Sequence, residues 1–310
     1  MSAPAADERD VEAGGHTIRL KHLDKVMYPQ TGFTKAAMLD YYARIAPVML
    51  PHIRDRAVTL KRYPHGSEDI SFFEKACPKY RPPWIKTVGR WHETAGRTTE
   101  YCLVNSMPAL IWLVNQATIE FHVPLAMKKT MERPRVMVYD LDPGESSDVI
   151  DCAEVAVIVR ERLAEDGLKS WIKTSGSKGL QLYVPLNNPR LTFDDSRAYA
   201  HALAEELHET HPDLIVAKMS KKLRKGRVLI DWSQNHDNKT TICVYSMRGR
   251  PHPTVSTPVT WEEVEYALDH DEAESLVFET GDVLDRVDEH GDLFAEVLKK
   301  RQSLPRTKEQ

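Results

Sequence analysis

The apolar positions of this chain recur with periods that predict its elements. Val136-Met137-Val138-Tyr139 is apolar without a break, and Asp140-Leu141-Asp142 follows before Pro143-Gly144. This predicts a strand that ends in a turn. Side chains two apart on a strand share a face, so Asp140 and Asp142 project together, beside Val136 and Val138. A helical period then predicts a helix over 148–166, stopped by Gly167. Strands are predicted over 168–174 and 180–185, with a loop at 175–179 between them. A second helix over 194–209 and a strand over 227–232 follow, so the centre reads as βαββ. Upstream, the pattern predicts a helix from Thr34 to about Leu50, a strand over 57–63, a Pro-rich connection at 78–84 and a hairpin within 91–104. Ser106 caps a helix with Pro108 in its first turn. Over 119–123, Ile119, Phe121 and Val123 face one way and Glu120 and His122 the other. Beyond Trp261 the chain reads as helical and acidic. No repeat or low-complexity segment is visible, and the expected class is α/β (α+β).

Composition changes this picture little. At 310 residues, 41% hydrophobic and 28% charged, the chain can bury a large core. No apolar run approaches the 18 residues of a membrane span. Residues 1–15 are small and acidic and read as a disordered leader, neither signal peptide nor anchor. Cys77, Cys102, Cys152 and Cys243 lie far apart in sequence, which argues against a zinc site and fits thiols kept reduced in a cytoplasm.

Charge distribution matters more. The net charge of −4 argues against nucleic acid, but it hides an asymmetry. Nine Lys or Arg face two Asp over 216–250, nine face three over 19–62, and fourteen Asp or Glu face one Arg over 262–298. The basic runs interleave with Tyr63, Phe72, Phe73, Trp232 and Tyr245, as a groove for phosphates and bases requires. A solvated face is the ordinary alternative.

Three motifs carry candidate chemistry. Asp140 and Asp142 repel unless protonated or bridged by cations, so the pair is either a platform for hard Mg2+ or Mn2+ or a strand end entering a turn. Thr174-Ser175-Gly176-Ser177-Lys178-Gly179 offers two glycines, two hydroxyls beyond the threonine and a Lys, which suits a triphosphate or simply a polar hairpin loop. Its spacing is not that of a P-loop. Asp231 ends the apolar run Val228-Leu229-Ile230, where an Asp needs a partner, and a third carboxylate would complete a two-metal site. A strand-exit cap is its other reading. His122 is either a cleft residue or a structural histidine.

Taken together, Asp140-Leu141-Asp142-Pro143-Gly144, the 174–179 loop and Ile230-Asp231-Trp232-Ser233-Gln234-Asn235 resemble the three signatures of the archaeo-eukaryotic primase superfamily, in the branch of the bacterial ligase D polymerase domain. The resemblance spans about residues 17–295. It includes Asp24-Lys25-Val26-Met27-Tyr28-Pro29, Thr34-Lys35, Lys61-Arg62-Tyr63-Pro64, Phe72-Phe73-Glu74-Lys75, Glu120-Phe121-His122-Val123-Pro124 and Tyr245-Ser246-Met247-Arg248-Gly249-Arg250. No ligase or nuclease segment is recognised, so the expectation is a stand-alone primase-polymerase domain over 16–300. Its lobes are expected at 16–105 (smaller, N-terminal) and 106–260 (catalytic core with an RNA-recognition-like sheet), before an acidic helical tail at 261–300.

The resemblance implies site residues. Asp140, Asp142 and Asp231 match the catalytic, metal-binding carboxylates for two Mn2+ or Mg2+ ions. His122, Ser175, Lys178, Gln181, Gln234, Arg248 and Arg250 match the nucleotide-binding set. Lys25 and Lys35 match a pair that grips the 5′-phosphate of a gap or break, and Phe72, Phe73 and Lys75 match the template and DNA contacts. The family usually has His where this chain has Gln181, which donates a hydrogen bond but cannot become cationic. The implied function is template-directed DNA-dependent nucleotidyl transfer in gap filling, end joining or priming, with ribonucleotide preference. The implied partners are gapped or broken DNA, NTP or dNTP, and a separate ligase and end-binding protein, and the chain is expected to be a nucleoid-associated cytoplasmic monomer. Two other readings stand beside it: a haloacid-dehalogenase-type phosphatase, which also uses Asp-x-Asp, and a nucleic-acid-binding module with a decayed acidic site.

Overall fold

The strand over residues 136–143, buried without a break to Tyr139 and alternating from Asp140 to Asp142, organises the larger sheet. In this computed structural model, which describes residues 7–93 and 96–305, the Val136–Pro143 strand pairs antiparallel with Leu180–Pro185 and with Val228–Asp231. Trp171–Thr174 and then Pro258–Val259 extend one side, and Ile215–Val216 closes the other in parallel, giving six strands. Met137, Tyr139 and Leu141 point into a core shared with Leu180, Leu182, Val184 and Ile230. Helices Val149–Glu165 and Phe193–Thr210 cover that face with Val155, Val159, Leu163, Leu203 and Leu207. Strand alternation sends Asp140, Asp142, Lys173, Gln181 and Asp231 to the opposite face.

Local chemistry explains where the helices begin. Asp148 and Asp151 form a reciprocal capping box, as do Thr192 and Asp195. Gly167 takes φ +71° just past the first helix, a left-handed position that favours glycine. These strands and helices belong to one of two compact units, made of residues 124–241, 256–278 and 292–310.

The other unit runs to Val123 and takes in Ile242–Val255 and Glu279–Gly291. Thr59–Arg62 lies between Thr118–Val123 and Phe72–Glu74 in its sheet. Helix Lys35–Ile53 is capped by Thr34, whose hydroxyl accepts from the Ala37 amide at 3.3 Å. Met107–Asn115 begins at Ser106 with Pro108 in its first turn, although the serine side chain makes no capping bond.

Several expectations are corrected. Part of the 1–15 leader lies outside the described residues, but Glu8–Ala13 is a strand paired with His16–Lys21. The charge run hid an amphipathic alternation whose Ile18 and Leu20 are buried. The hairpin forms from Thr87–His92 and Arg97–Cys102, earlier than expected. The strand expected over 168–174 starts at Trp171. Cys77 and Cys102 are joined in a disulfide rather than reduced, with Cα atoms 4.8 Å apart. The backbone creates that proximity, since the Cys77 amide donates to the Glu100 carbonyl at 2.6 Å. Cys152 and Cys243 are buried and take part in no disulfide among the described residues. Among the described residues no helix is long and apolar enough to cross a membrane.

Candidate active site

Strand register builds a polar row straight across the larger sheet. Lys173 lies opposite Gln181, Gln181 opposite Asp140, and Asp140 opposite Asp231. Asp142 stands two residues beyond Asp140 on the same face. Burial raises the Asp140 carboxyl, and Asp142 and Asp231 add to this, pushing it up to about 7 against the pull of Gln181 and Lys173. Three carboxylates share one face of the sheet with one nearby lysine, so the row is short of positive charge.

The donor chemistry fits hard cations. The Gln234 Oε1, buried beside Asp231, has no hydrogen-bond partner and is a further oxygen available there. One rearrangement is needed. Asp231 accepts from the Ser233 amide at 2.9 Å, the Ser233 hydroxyl at 2.5 Å and the Gln234 amide at 3.0 Å. Its carboxylate is thus turned onto its own 3-10 turn. Among the described residues no three acidic, His or Cys side chains are grouped to hold a metal ion as they stand. A turn of the Asp231 carboxylate towards Asp140 and Asp142 would bring the three together, and Oδ2, which accepts a single bond from Gln234, keeps a lone pair for it.

Lys173 is a residue that sequence reasoning missed. It is fully buried, and its Nζ donates to Gln181 Oε1 at 2.6 Å and to Ser256 Oγ at 2.5 Å. A lysine only donates, so it fixes the Gln181 amide with its nitrogen towards Asp140, at 2.9 Å from Oδ1. Gln181 is therefore engaged at both ends. The available signal was an inward Lys in a strand of buried residues, where an unpaired charge is costly. Gln181→Leu removes the acceptor from a buried ammonium and should cost about 3 kcal/mol. In the Lys173→Met/Gln181→Leu double variant most of that loss should return, because an apolar pair replaces a buried polar one. Urea unfolding of wild type and the two variants measures both effects.

The 174–179 loop is tied by Ser175. Its hydroxyl accepts from the Ser177 and Gly179 amides, both at 3.2 Å, so these donors turn inward rather than outward to an anion. Lys178 is exposed. Gly176 has φ +66°, whereas Gly179 is needed for space, since a Cβ there would lie 2.0 Å from the Leu141 carbonyl oxygen. Gly179→Ala should cost about 2–3 kcal/mol in urea unfolding by forcing apart the strand that carries Asp140.

In the unit that runs to Val123, Glu120 gathers the cationic candidates. Tyr63 donates to its Oε1 at 2.6 Å and the Gly249 amide at 3.0 Å. Lys61 lies 3.6 Å from Oε1, while His122 Nε2 and Arg248 Nε lie 2.9 and 3.6 Å from Oε2. Burial raises the Glu120 carboxyl, but His122, Arg248 and Tyr63 together hold it well below the usual carboxylate range. Burial also lowers the His122 pKa, against the pull of Glu120. Glu120 was legible only as a polar-face residue. Phe73 is 58% exposed, packs edge-on to His122 at 5.2 Å and sits 5.5 Å from Lys61. Phe72, 42% exposed, carries the Arg62 guanidinium at 5.6 Å. Lys75 and Arg250 are exposed.

Lys25 and Lys35 are also brought together. The Lys35 amide donates to the Lys25 carbonyl at 2.8 Å, and the Lys35 ammonium donates to the Lys21 carbonyl at 2.6 Å. Lys25 Nζ donates to the Pro64 carbonyl. Burial and then repulsion from Lys25 lower the Lys35 pKa to about 8, partly offset by Asp7.

The carboxylate row lies on the face of this mostly antiparallel sheet opposite its covering helices, and the chain is a nucleotidyltransferase of the primase-polymerase class. The chain belongs to the family of LigD primase-polymerase domains, whose model matches residues 34–294. It is 43% identical over 280 residues to the multifunctional non-homologous end joining protein LigD of Mycolicibacterium smegmatis, matching 90% of this chain and 36% of that protein. It is 32% identical over 288 residues to the bifunctional LigD of Bacillus subtilis, matching 93% and 45%. The chain thus spans less than half the length of these curated relatives. Its structure is similar to that of the polymerase domain of Mycobacterium tuberculosis ligase D in complex with DNA. That match has a TM-score of 0.84 and 39% identity, and covers 92% of this chain and 99% of that one. The phosphatase reading is set aside by this membership.

Proposed function

We propose that the protein extends a DNA 3′ end by template-directed nucleotidyl transfer at gaps or breaks that carry a downstream 5′-phosphate, taking NTP in preference to dNTP. The observation that carries this reading is the transverse row, in which Asp140 and Asp231 face each other across two strands with Asp142 beside them. Asp140, Asp142 and Asp231 would hold two Mn2+ or Mg2+ ions, which supply Lewis-acid alignment of the attacking hydroxyl and stabilise the leaving phosphate. Gln181, locked by Lys173, presents an N–H to Asp140 and fixes which oxygen remains for a cation. Lys178, Arg248 and Arg250 supply positive charge for the triphosphate, and His122, positioned by its bond to Glu120 and kept towards its neutral form by burial, is a hydrogen-bonding partner. Phe72 and Phe73 keep exposed faces on which template bases stack, with cations beneath them.

The relatives are named for end joining, and the solved neighbour is named as bound to DNA. These names support a role in end joining. Extension on gapped DNA tests the proposal, with and without the 5′-phosphate, with NTP against dNTP and Mn2+ against Mg2+. The expected result is metal-dependent incorporation directed by the template base, strongest with NTP and a 5′-phosphate. Binding without incorporation under every metal condition would leave only the decayed module.

A further inference from the structure

Away from the carboxylate row, the unit that carries the row contains a cavity of about 330 Å3 whose lining includes Arg133, Arg135, Lys299 and Arg301 and no carboxylate. Arg135 immediately precedes the Val136–Pro143 strand. Asp140 lies five residues further along, roughly 17 Å away at strand rise.

The cavity is built around Asn187. This residue is 8% exposed and holds a left-handed φ of +45°, a conformation that Asn tolerates. Its amide nitrogen donates to the Val297 and Lys300 carbonyls at 3.1 and 2.6 Å, which ties down the segment carrying Lys299 and Arg301. Arg135 Nε donates to the Asn187 side-chain oxygen at 2.5 Å, and Arg301 Nε donates to its carbonyl at 3.3 Å. Arg133 donates through one terminal nitrogen to the Pro189 carbonyl at 2.6 Å, and its Nε lies 3.4 Å from Glu132, which is itself largely exposed. Each guanidinium is therefore oriented by a neutral acceptor. For Arg135 and Arg301, those bonds leave both terminal nitrogens uncommitted. Three guanidiniums and an ammonium around one hollow repel each other, and a multiply charged oxyanion with several acceptors relieves that repulsion. The volume lies at the low end of the range of ligand pockets.

We propose that this cavity is a second phosphate-binding site, separate from the transferase centre, for the phosphate groups of a nucleotide, pyrophosphate or a nucleic-acid strand. The inference does not depend on the proposed polymerase activity.

The test uses the full chain in EDTA, titrated separately with inorganic pyrophosphate and with a single-stranded oligodeoxynucleotide. Wild type is compared with Arg135→Gln/Arg301→Gln and, as a control, with Lys178→Ala. One pyrophosphate-binding event should survive Lys178→Ala and weaken about tenfold or more in the double variant, given two lost charge-assisted contacts. Primer extension by the double variant should stay at the wild-type rate. If only the oligonucleotide weakens in the double variant, the phosphates are those of a strand. If neither ligand responds to the double variant, or pyrophosphate binding disappears in Lys178→Ala instead, the site is rejected. Should the double variant fail to melt cooperatively, Arg301→Gln alone, at an exposed position, carries the same comparison with a several-fold weakening expected.

Discussion

Asp140→Ala is expected to lower nucleotide incorporation by on the order of a thousandfold or more, while gapped-DNA affinity changes little. The several kcal/mol of charge stabilisation that a metal platform supplies to phosphoryl transfer convert to that factor. The proposed DNA grip lies on other residues. Asp142→Ala should behave alike. Asp231→Ala should also lose activity, with added instability because Asp231 holds Ser233 and Gln234. Single-nucleotide incorporation with a parallel gel-shift measurement separates the effects, and substantial extension by Asp140→Ala would remove the row from the mechanism. The sign of a second effect is fixed by the raised Asp140 carboxyl, about 7 in the fold against 3.8. Burial and the two neighbouring aspartates oppose its ionisation, so the metal-free fold bears no such cost below about pH 4 and the full cost above about pH 7. In EDTA at pH 8, Asp140→Ala should melt above wild type.

The second large effect concerns the 5′-phosphate. Wild type should prefer gaps with a downstream 5′-phosphate over 5′-hydroxyl gaps. Lys25→Ala and Lys35→Ala should each weaken that preference about tenfold or more while retaining simple primer extension. Lys35 opens helix Lys35–Ile53, whose dipole also favours an anion, although the amides of Lys35, Ala36 and Ala37 are already bonded. Because burial and Lys25 bring its pKa down to about 8, Lys35 is cationic below that pH and neutral above it. The preference should therefore fade as pH rises from about 7 to 9, and binding above pH 8 should take up a proton as the phosphate restores the charge. Affinities for the two gap substrates across that range, at fixed salt, measure this. Equal wild-type affinities at pH 7 would leave both lysines as structural donors to Lys21 and Pro64.

Local patterns made much of this molecule legible. The 136–143 strand, its shared Asp140–Asp142 face and the Leu180–Pro185 return follow from alternation and turn chemistry within a short window. What pairs with what did not. That Asp231 lies opposite Asp140 rather than Leu141 is a matter of register between segments ninety residues apart, and nothing local encodes it. Lys173 was missed because its partners, Gln181 and Ser256, come from other strands and loops. Glu120 was visible beside His122, but its claim on Arg248 and Gly249 depends on a chain segment far downstream. The Cys77–Cys102 bond was hidden for the same reason.

The row from Lys173 to Asp231 also sets how the protein can fail. Its members come from four paired strands, so a one-residue slip of any strand would send its side chain to the helix-covered face. The chemistry cannot fray separately from the sheet, as it could on a surface loop. Amide protons of Leu141 and Leu182 should exchange only in the slowest, globally opening class. Heat inactivation of the transferase should then coincide with cooperative loss of the whole sheet, with no structured but inactive state preceding it.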